Sequence, residues 1–228
     1  MGDMVSFQSN GATTEGYLSV PDSGSGPGIV VIQEWWGLVG HIRDVVDRLA
    51  AEGFVGLAPD LYHGGKSAEP DEAQKLLMGL EMDRAAKDIA GAARYLAERP
   101  ETTGGGIGCV GFCMGGSLAL WSATVSDDII SAVGFYPALP WEHMSPTWPR
   151  YAGKNAMFHC SEADGTSAAE GIQTAKRAIE AAGGKVTIFD YPGTEHAFFN
   201  DNRPEVHHEW AASEAWSRTL NLFRSTLS

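Results

Sequence analysis

The chain has 228 residues and a formal charge of −13, a length that fits one α/β domain over 1–228 with ample chain to bury a core. Its 16 Lys and Arg residues are scattered, which excludes the clustered cations of a nucleic-acid-binding surface. No stretch approaches the roughly 18 apolar residues of a membrane helix, and Met1-Gly2-Asp3-Met4 opens no signal-peptide pattern, so a cytoplasmic protein without a membrane partner is expected.

Two alternating segments, Met4 to Gln8 and Thr13 to Val20, flank the polar turn Ser9-Asn10-Gly11 and read as an antiparallel hairpin. After the Pro/Gly/Ser stretch Pro21 to Pro27, Gly28 to Gln33 is a short β-branched run of the kind buried on both faces of a parallel sheet. A helix follows from about His41 to Glu52, ending at Gly53, and then a strand over Phe54 to Ala58. Asp71 to Gly79 and Asp83 to Glu98 read as helices, Ile107 to Val110 as a strand, and Ser117 to Ala123 as a helix. Further strands are expected over Ile129 to Tyr136, Ala156 to Cys160 and Val186 to Tyr191, and helices over Ser167 to Ala182 and Val206 to Leu227. Strands alternating with helices predict a mostly parallel central sheet flanked by helices, with reactive groups on loops at the carboxyl ends of the strands.

At one such end stands Gly111-Phe112-Cys113-Met114-Gly115-Gly116, which has the form of a nucleophile elbow with cysteine in place of serine. Glycines two before and two after Cys113 allow a strand to turn sharply into a helix, leaving the thiol exposed at the positive helix end, where a thiolate is favoured. A nucleophile needs a base and a group that orients the base. In hydrolase order these follow as acid and then histidine. Asp164 lies just after the strand ending at Cys160, and His196 just after the strand ending near Tyr191. Spacing leaves open whether His196 pairs with Asp164, Glu162 or Glu195.

Glu34 ends a central strand in Gln33-Glu34-Trp35-Trp36-Gly37, at a loop that commonly donates one oxyanion N–H in such folds. A carboxylate beside a thiol raises the thiol's pKa by repulsion, so Glu34 is expected to hold the resting thiol neutral until substrate displaces it. The backbone N–H groups of Met114 and Trp35 are the expected oxyanion pair. Trp35, Trp36, Phe135, Tyr136, Trp141 and Phe198 are candidates for pocket walls, although aromatic residues near strand ends are more often core. Cys109 and Cys160 read as buried small hydrophobes, and three cysteines, an odd number, fit reduced thiols. His41, His63, His143, His159 and His207-His208 form no ligand pattern, so no metal and no cofactor is expected.

Taken together these segments resemble the dienelactone hydrolase family of the α/β-hydrolase fold. The resemblance rests on Gln33-Glu34-Trp35-Trp36-Gly37-Leu38, Ala58-Pro59-Asp60-Leu61-Tyr62, the elbow, Val133-Gly134-Phe135-Tyr136 and Tyr191-Pro192-Gly193-Thr194-Glu195-His196-Ala197-Phe198. It implies Cys113 as nucleophile, Asp164 as acid, His196 as base, Glu34 as gating carboxylate, and Tyr136 at the substrate site. It also implies a small lactone (carboxymethylenebutenolide) opened through a thioester. The family holds its substrate carboxylate with two arginines, one four residues after the histidine, where this chain has Asn200. The other falls after Tyr62-His63, where Glu69-Pro70-Asp71-Glu72 is acidic; Arg84 and Arg203 are the nearest replacements. A carboxylesterase or thioesterase acting on small neutral acyl esters is therefore the alternative, and a non-catalytic ligand-binding protein a third. Either a monomer or a weak homo-oligomer is compatible with the sequence.

Overall fold

The computed structural model describes residues 1–138, 144–167 and 169–228, so Trp141 and His143 lie outside the described residues. Strands β1 (Asp3–Ser9) and β2 (Ala12–Ser19) form the expected hairpin, closed by Asn10 and Gly11 with φ of 50° and 76°. Two successive positive φ angles match the strand twist of a two-residue loop, which is why Asn-Gly stands there. The six remaining strands are β3 (Gly26–Ile32), β4 (Val55–Pro59), β5 (Thr102–Phe112), β6 (Ile129–Phe135), β7 (Asn155–Ser161) and β8 (Lys185–Tyr191). The sheet order is β1-β2-β4-β3-β5-β6-β7-β8. β2 pairs antiparallel with β1 and β4, and every later pairing is parallel.

Helices α1 (Gly40–Ala51), α2 (Pro70–Met78), α3 (Met82–Ala97), α4 (Met114–Ser122), α5 (Glu170–Ala181) and α6 (Glu209–Leu227) join the strands, with a 3-10 turn at Trp148–Tyr151. β3 shows how the layers form. Its Ile29 and Val31 pack with Ile42, Val45 and Leu49 of α1 and with Phe223 of α6. Its Val30 and Ile32 pack with Ile89 and Leu96 of α3 and Leu118 of α4. Both faces are covered, so the strand is apolar throughout instead of alternating. Among the described residues no helix is long and apolar enough to cross a membrane.

Element boundaries that differ from the sequence reading do so for local reasons. β5 begins at Thr102, five residues before the apolar run, because Gly104 to Gly106 are strand residues; a Cβ on Gly104 would stand 1.9 Å from the Leu227 carbonyl oxygen of α6. α5 begins at Glu170, not Ser167, because Ser167 is held by Asp190: its Oγ donates to Oδ2 at 2.6 Å. α6 begins at Glu209, after His208, whose Nδ1 accepts from the Ala211 N–H at 3.3 Å and caps the helix.

Candidate active site

β5 ends at Phe112 and α4 begins at Met114, so Cys113 alone makes the turn, with φ 56° and ψ −123°. That conformation is strained for a residue with a Cβ and is held by its surroundings. Cys113 N–H donates to the Phe135 carbonyl at 3.1 Å, and its own carbonyl accepts from Gly116 at 2.9 Å and Ala138 at 3.2 Å. The flanking glycines are required by close approach. A Cβ on Gly111 would meet the Gly115 oxygen at 1.9 Å, one on Gly115 the Gln33 oxygen at 2.3 Å, and one on Gly116 the Phe135 oxygen at 2.8 Å. These contacts let α4 start directly after the cysteine, three residues before the expected Ser117. Cys109 and Cys160 are buried, and burial pushes both thiols up to about 12, leaving them inert at neutral pH.

The three-way choice of carboxylate resolves on Asp164, whose Oδ2 bonds His196 Nδ1 and also accepts from Ser161 Oγ at 2.6 Å. Glu162 is used elsewhere, accepting from the Gly193 N–H. Cys113 lies close enough to the same imidazole to act on its protonation. Burial opposes protonation of His196, but the bonds and charges of Asp164 and Cys113 outweigh it and push its pKa up to about 10. For Asp164, partial burial acts against ionisation, and the bonds from His196 and Ser161 outweigh it and hold the carboxyl below its ordinary value. Tyr136 presents its ring edge-on to His196 with centroids 5.1 Å apart.

Glu34 lies beside this group but does not pair with the thiol as expected. It is 1 % exposed, and its Oε2 accepts from Asn200 Nδ2 at 3.0 Å while Oε1 takes a longer bond from the Tyr136 hydroxyl at 3.4 Å. Asn200 Oδ1 accepts from the Asn202 N–H at 3.1 Å, which fixes the amide with its nitrogen toward Glu34. Burial raises the Glu34 pKa above the ordinary carboxyl value, against the bond from Asn200 and the positive charges of His196 and Arg203. Asn200, met in the sequence as a missing arginine, is thus the residue that holds Glu34.

Met114 is the first residue of α4, so its N–H has no acceptor within the helix, and among the described residues the Trp35 N–H has no recorded acceptor either. Both expected oxyanion donors are therefore free. The proposed substrate contacts separate. Trp36 is half-buried against Trp35, and Tyr136 joins Glu34. Phe198 is corrected to core: it is fully buried, edge-on to Tyr136 and tilted against Tyr191 and Phe135. Phe135 is likewise fully buried. Arg203 Nε donates to Glu205 at 3.0 Å, within electrostatic reach of Glu34. Arg84 is on α3, 3.9 Å from Asp88, and lines a cavity of about 320 Å³ with Tyr62, His63 and Leu80. Sequence reasoning missed Tyr62. Its hydroxyl donates to Met114 Sδ at 3.7 Å, and burial followed by the Cys113 charge raises its pKa. Asp60 fixes this loop by accepting from the N–H groups of Tyr62 at 3.1 Å and Gly64 at 2.7 Å, and Asp88 holds His63 at 2.9 Å. The Asp60-Leu61-Tyr62 segment carried that signal.

Comparison with known proteins follows the same outline. The family described as "Dienelactone hydrolase family" matches residues 14–227. "Protein usf" of Aquifex pyrophilus is 35% identical over 240 residues, covering 100% of both chains. "Putative carboxymethylenebutenolidase" of Aquifex aeolicus (strain VF5) is 31% identical over 237 residues, again covering 100% of both. Among solved structures, "Putative Dienelactone Hydrolase" from Klebsiella pneumoniae subsp. pneumoniae MGH 78578 superposes with a TM-score of 0.84 at 26% identity, covering 98% of each chain. With an α/β-hydrolase fold, a family match over nearly its whole length and relatives above 30% identity, the chain belongs to the dienelactone hydrolase family.

Proposed function

We propose that this chain opens a small lactone of the carboxymethylenebutenolide type with Cys113 as nucleophile, His196 as proton carrier and Asp164 as its orienting acid. The observation that carries the reading is Cys113, strained at the elbow, beside a His196 whose Nδ1 bonds the Asp164 carboxylate. His196 carries the proton of Cys113 as imidazolium, and the sulfur attacks the lactone carbonyl carbon. The carbonyl oxygen becomes an oxyanion facing the Met114 and Trp35 N–H groups, each such donor supplying about 3 kcal/mol of transition-state stabilisation. Collapse breaks the ring C–O bond. The leaving oxygen takes the proton from His196, and the acyl group remains as a thioester on Cys113. His196 then draws a proton from water, hydroxide adds to the thioester, and the acid departs as the sulfur recovers its proton. A raised His196 pKa suits this sequence, because the imidazolium is available to the leaving oxygen at neutral pH. Glu34 takes the part of an electrostatic partner: when it ionises, its charge supports the imidazolium.

A second reading keeps this machinery and changes the substrate to small neutral acyl esters or thioesters. It is favoured by Asn200, a neutral group committed to Glu34, and by Arg203, whose Nε is taken by Glu205. Steady-state hydrolysis of a dienelactone beside neutral 4-nitrophenyl esters, with wild-type protein and Cys113→Ala, decides between them. Rapid lactone turnover lost in the variant is the expected result. Cys113-dependent ester cleavage with poor lactone turnover moves the substrate to the neutral class, and activity that persists in Cys113→Ala refutes the mechanism.

A further inference from the structure

We infer that Thr194 is a positioning residue that locks the loop carrying Asp164 to the loop carrying His196, with Glu162 as its counterpart on the opposite loop. The inference rests on the reading of Asp164 and His196 as a working pair. Strand pairing between β7 and β8 runs from Asn155↔Lys185 to Ser161↔Tyr191 and ends there. Asp164 and His196 both lie beyond that last pair, with side chains 33% and 36% exposed, so the strand ladder itself does not fix their separation.

Three hydrogen bonds continue the connection where the ladder stops. The Glu162 N–H donates to Thr194 Oγ1 at 3.3 Å, the Ala163 N–H donates to the Thr194 carbonyl at 3.2 Å, and the Gly193 N–H donates to the Glu162 carboxylate. The hydroxyl of Thr194 has one proton, and it goes to the Tyr191 carbonyl at 2.6 Å within its own loop. That bond leaves an oxygen lone pair for Glu162, so the threonine accepts across the gap because it donates along its own chain. Thr194 is 3% exposed, and Tyr191, to which it is anchored, is 1% exposed and seated against Phe198. The spacing is symmetric: Asp164 is two residues past Glu162, and His196 two residues past Thr194. A shift between the loops is therefore passed on to the Asp164–His196 bond. Misplacing a catalytic group by about 1 Å costs on the order of 100-fold in rate.

Thr194→Val keeps the shape of the side chain and removes both hydroxyl bonds; Thr194→Ser keeps the hydroxyl. In the full-length protein, Thr194→Val is expected to lower kcat about 100-fold with KM nearly unchanged, and Thr194→Ser to restore most of it. Since the bond to Asp164 helps hold His196 protonated, loosening it lowers the His196 pKa, and the alkaline limb of the kcat/KM profile moves down by about one pH unit. The same shift is read without turnover by NMR titration of the His196 ring in 15N-labelled protein. Glu162→Ala, at an exposed position, removes the Gly193 contact alone; it produces the same shift in smaller measure and decides the matter should Thr194→Val not fold. A His196 titration and a kcat unchanged from wild type in the folded variant overturn the inference. Cys113→Ala distinguishes the two levels: if it keeps activity, the nucleophile reading falls, while the His196 titration in Thr194→Val still tests the link between the loops.

Discussion

Replacing Glu34 with Gln tests how the buried carboxyl is held. The substitution preserves shape and hydrogen bonding: the Gln oxygen accepts from Asn200 Nδ2 in place of Oε2, and the Gln nitrogen donates to the Tyr136 hydroxyl, which rotates to accept. What disappears is the charge. Because burial raises the Glu34 pKa, the folded protein binds this proton more tightly than the unfolded chain. Its contribution to stability is complete below the unfolded value of about 4.3 and is lost as pH rises through the folded value. An ionised carboxylate with no direct cationic partner costs several kcal/mol to bury. Against this, turning two charge-assisted bonds into neutral ones forfeits about 2 kcal/mol in all. The balance makes Glu34→Gln more stable than wild type by about 1–2 kcal/mol at pH 8, or roughly 2–8 °C in Tm for a chain of this size, and indistinguishable from it near pH 4.5. Thermal unfolding by circular dichroism at both pH values measures this. A variant that melts lower than wild type at pH 8 would show Glu34 to be an ion stabilised by its surroundings and would refute the argument. Turnover by the same variant should fall while its melting temperature rises, the trade expected where a functional site keeps a costly charge.

Gly115→Ala should prevent the elbow from forming, because the new Cβ would stand 2.3 Å from the Gln33 carbonyl oxygen, a main-chain atom that cannot step aside; loss of more than about 4 kcal/mol, or no folded protein, is expected in urea titrations, and a normal midpoint would contradict the packing. Met114→Leu should cost under about 1.5 kcal/mol and leave kcat within a few-fold of wild type, since the group assigned to the oxyanion is the main-chain N–H; a dead but folded variant would count against that assignment. Burial pushes the pKa of His159 down to about 3, so neutral His159 stabilises the fold fully above the unfolded value of about 6.5, and that stability drains away as pH falls toward 3. His41, pushed down to about 4 chiefly by burial, acts in the same direction. Each should remove about 2 kcal/mol between pH 7.5 and pH 5, and denaturant midpoints that stay flat over that range would exclude it.

What was legible in the sequence divides by the range of the interactions that create it. The elbow can be read because its glycines stand together in six residues: Gly111, Gly115 and Gly116 answer close approaches to Gly115, Gln33 and Phe135, and only glycine permits them. Chain order and strand ends likewise bring Asp164 and His196 together, since parallel strands deliver their carboxyl ends to one edge. The choice among Asp164, Glu162 and Glu195 has no such local signature. In the fold Gly193 occupies Glu162 while His196 reaches Asp164, bonds that exist only once two loops meet. Asn200 shows the same limit from the other side. As a letter it signals only the loss of an arginine, whereas in the fold its amide, fixed by Asn202, reaches a carboxyl 166 positions away and occupies it. That contact redirects the role of Glu34. A carboxylate expected to hold a thiol neutral is here engaged instead by Asn200 and Tyr136. The polarity of the site therefore depends less on which charged residues line it than on which of them are already paired, and pairing is a property of the folded loops.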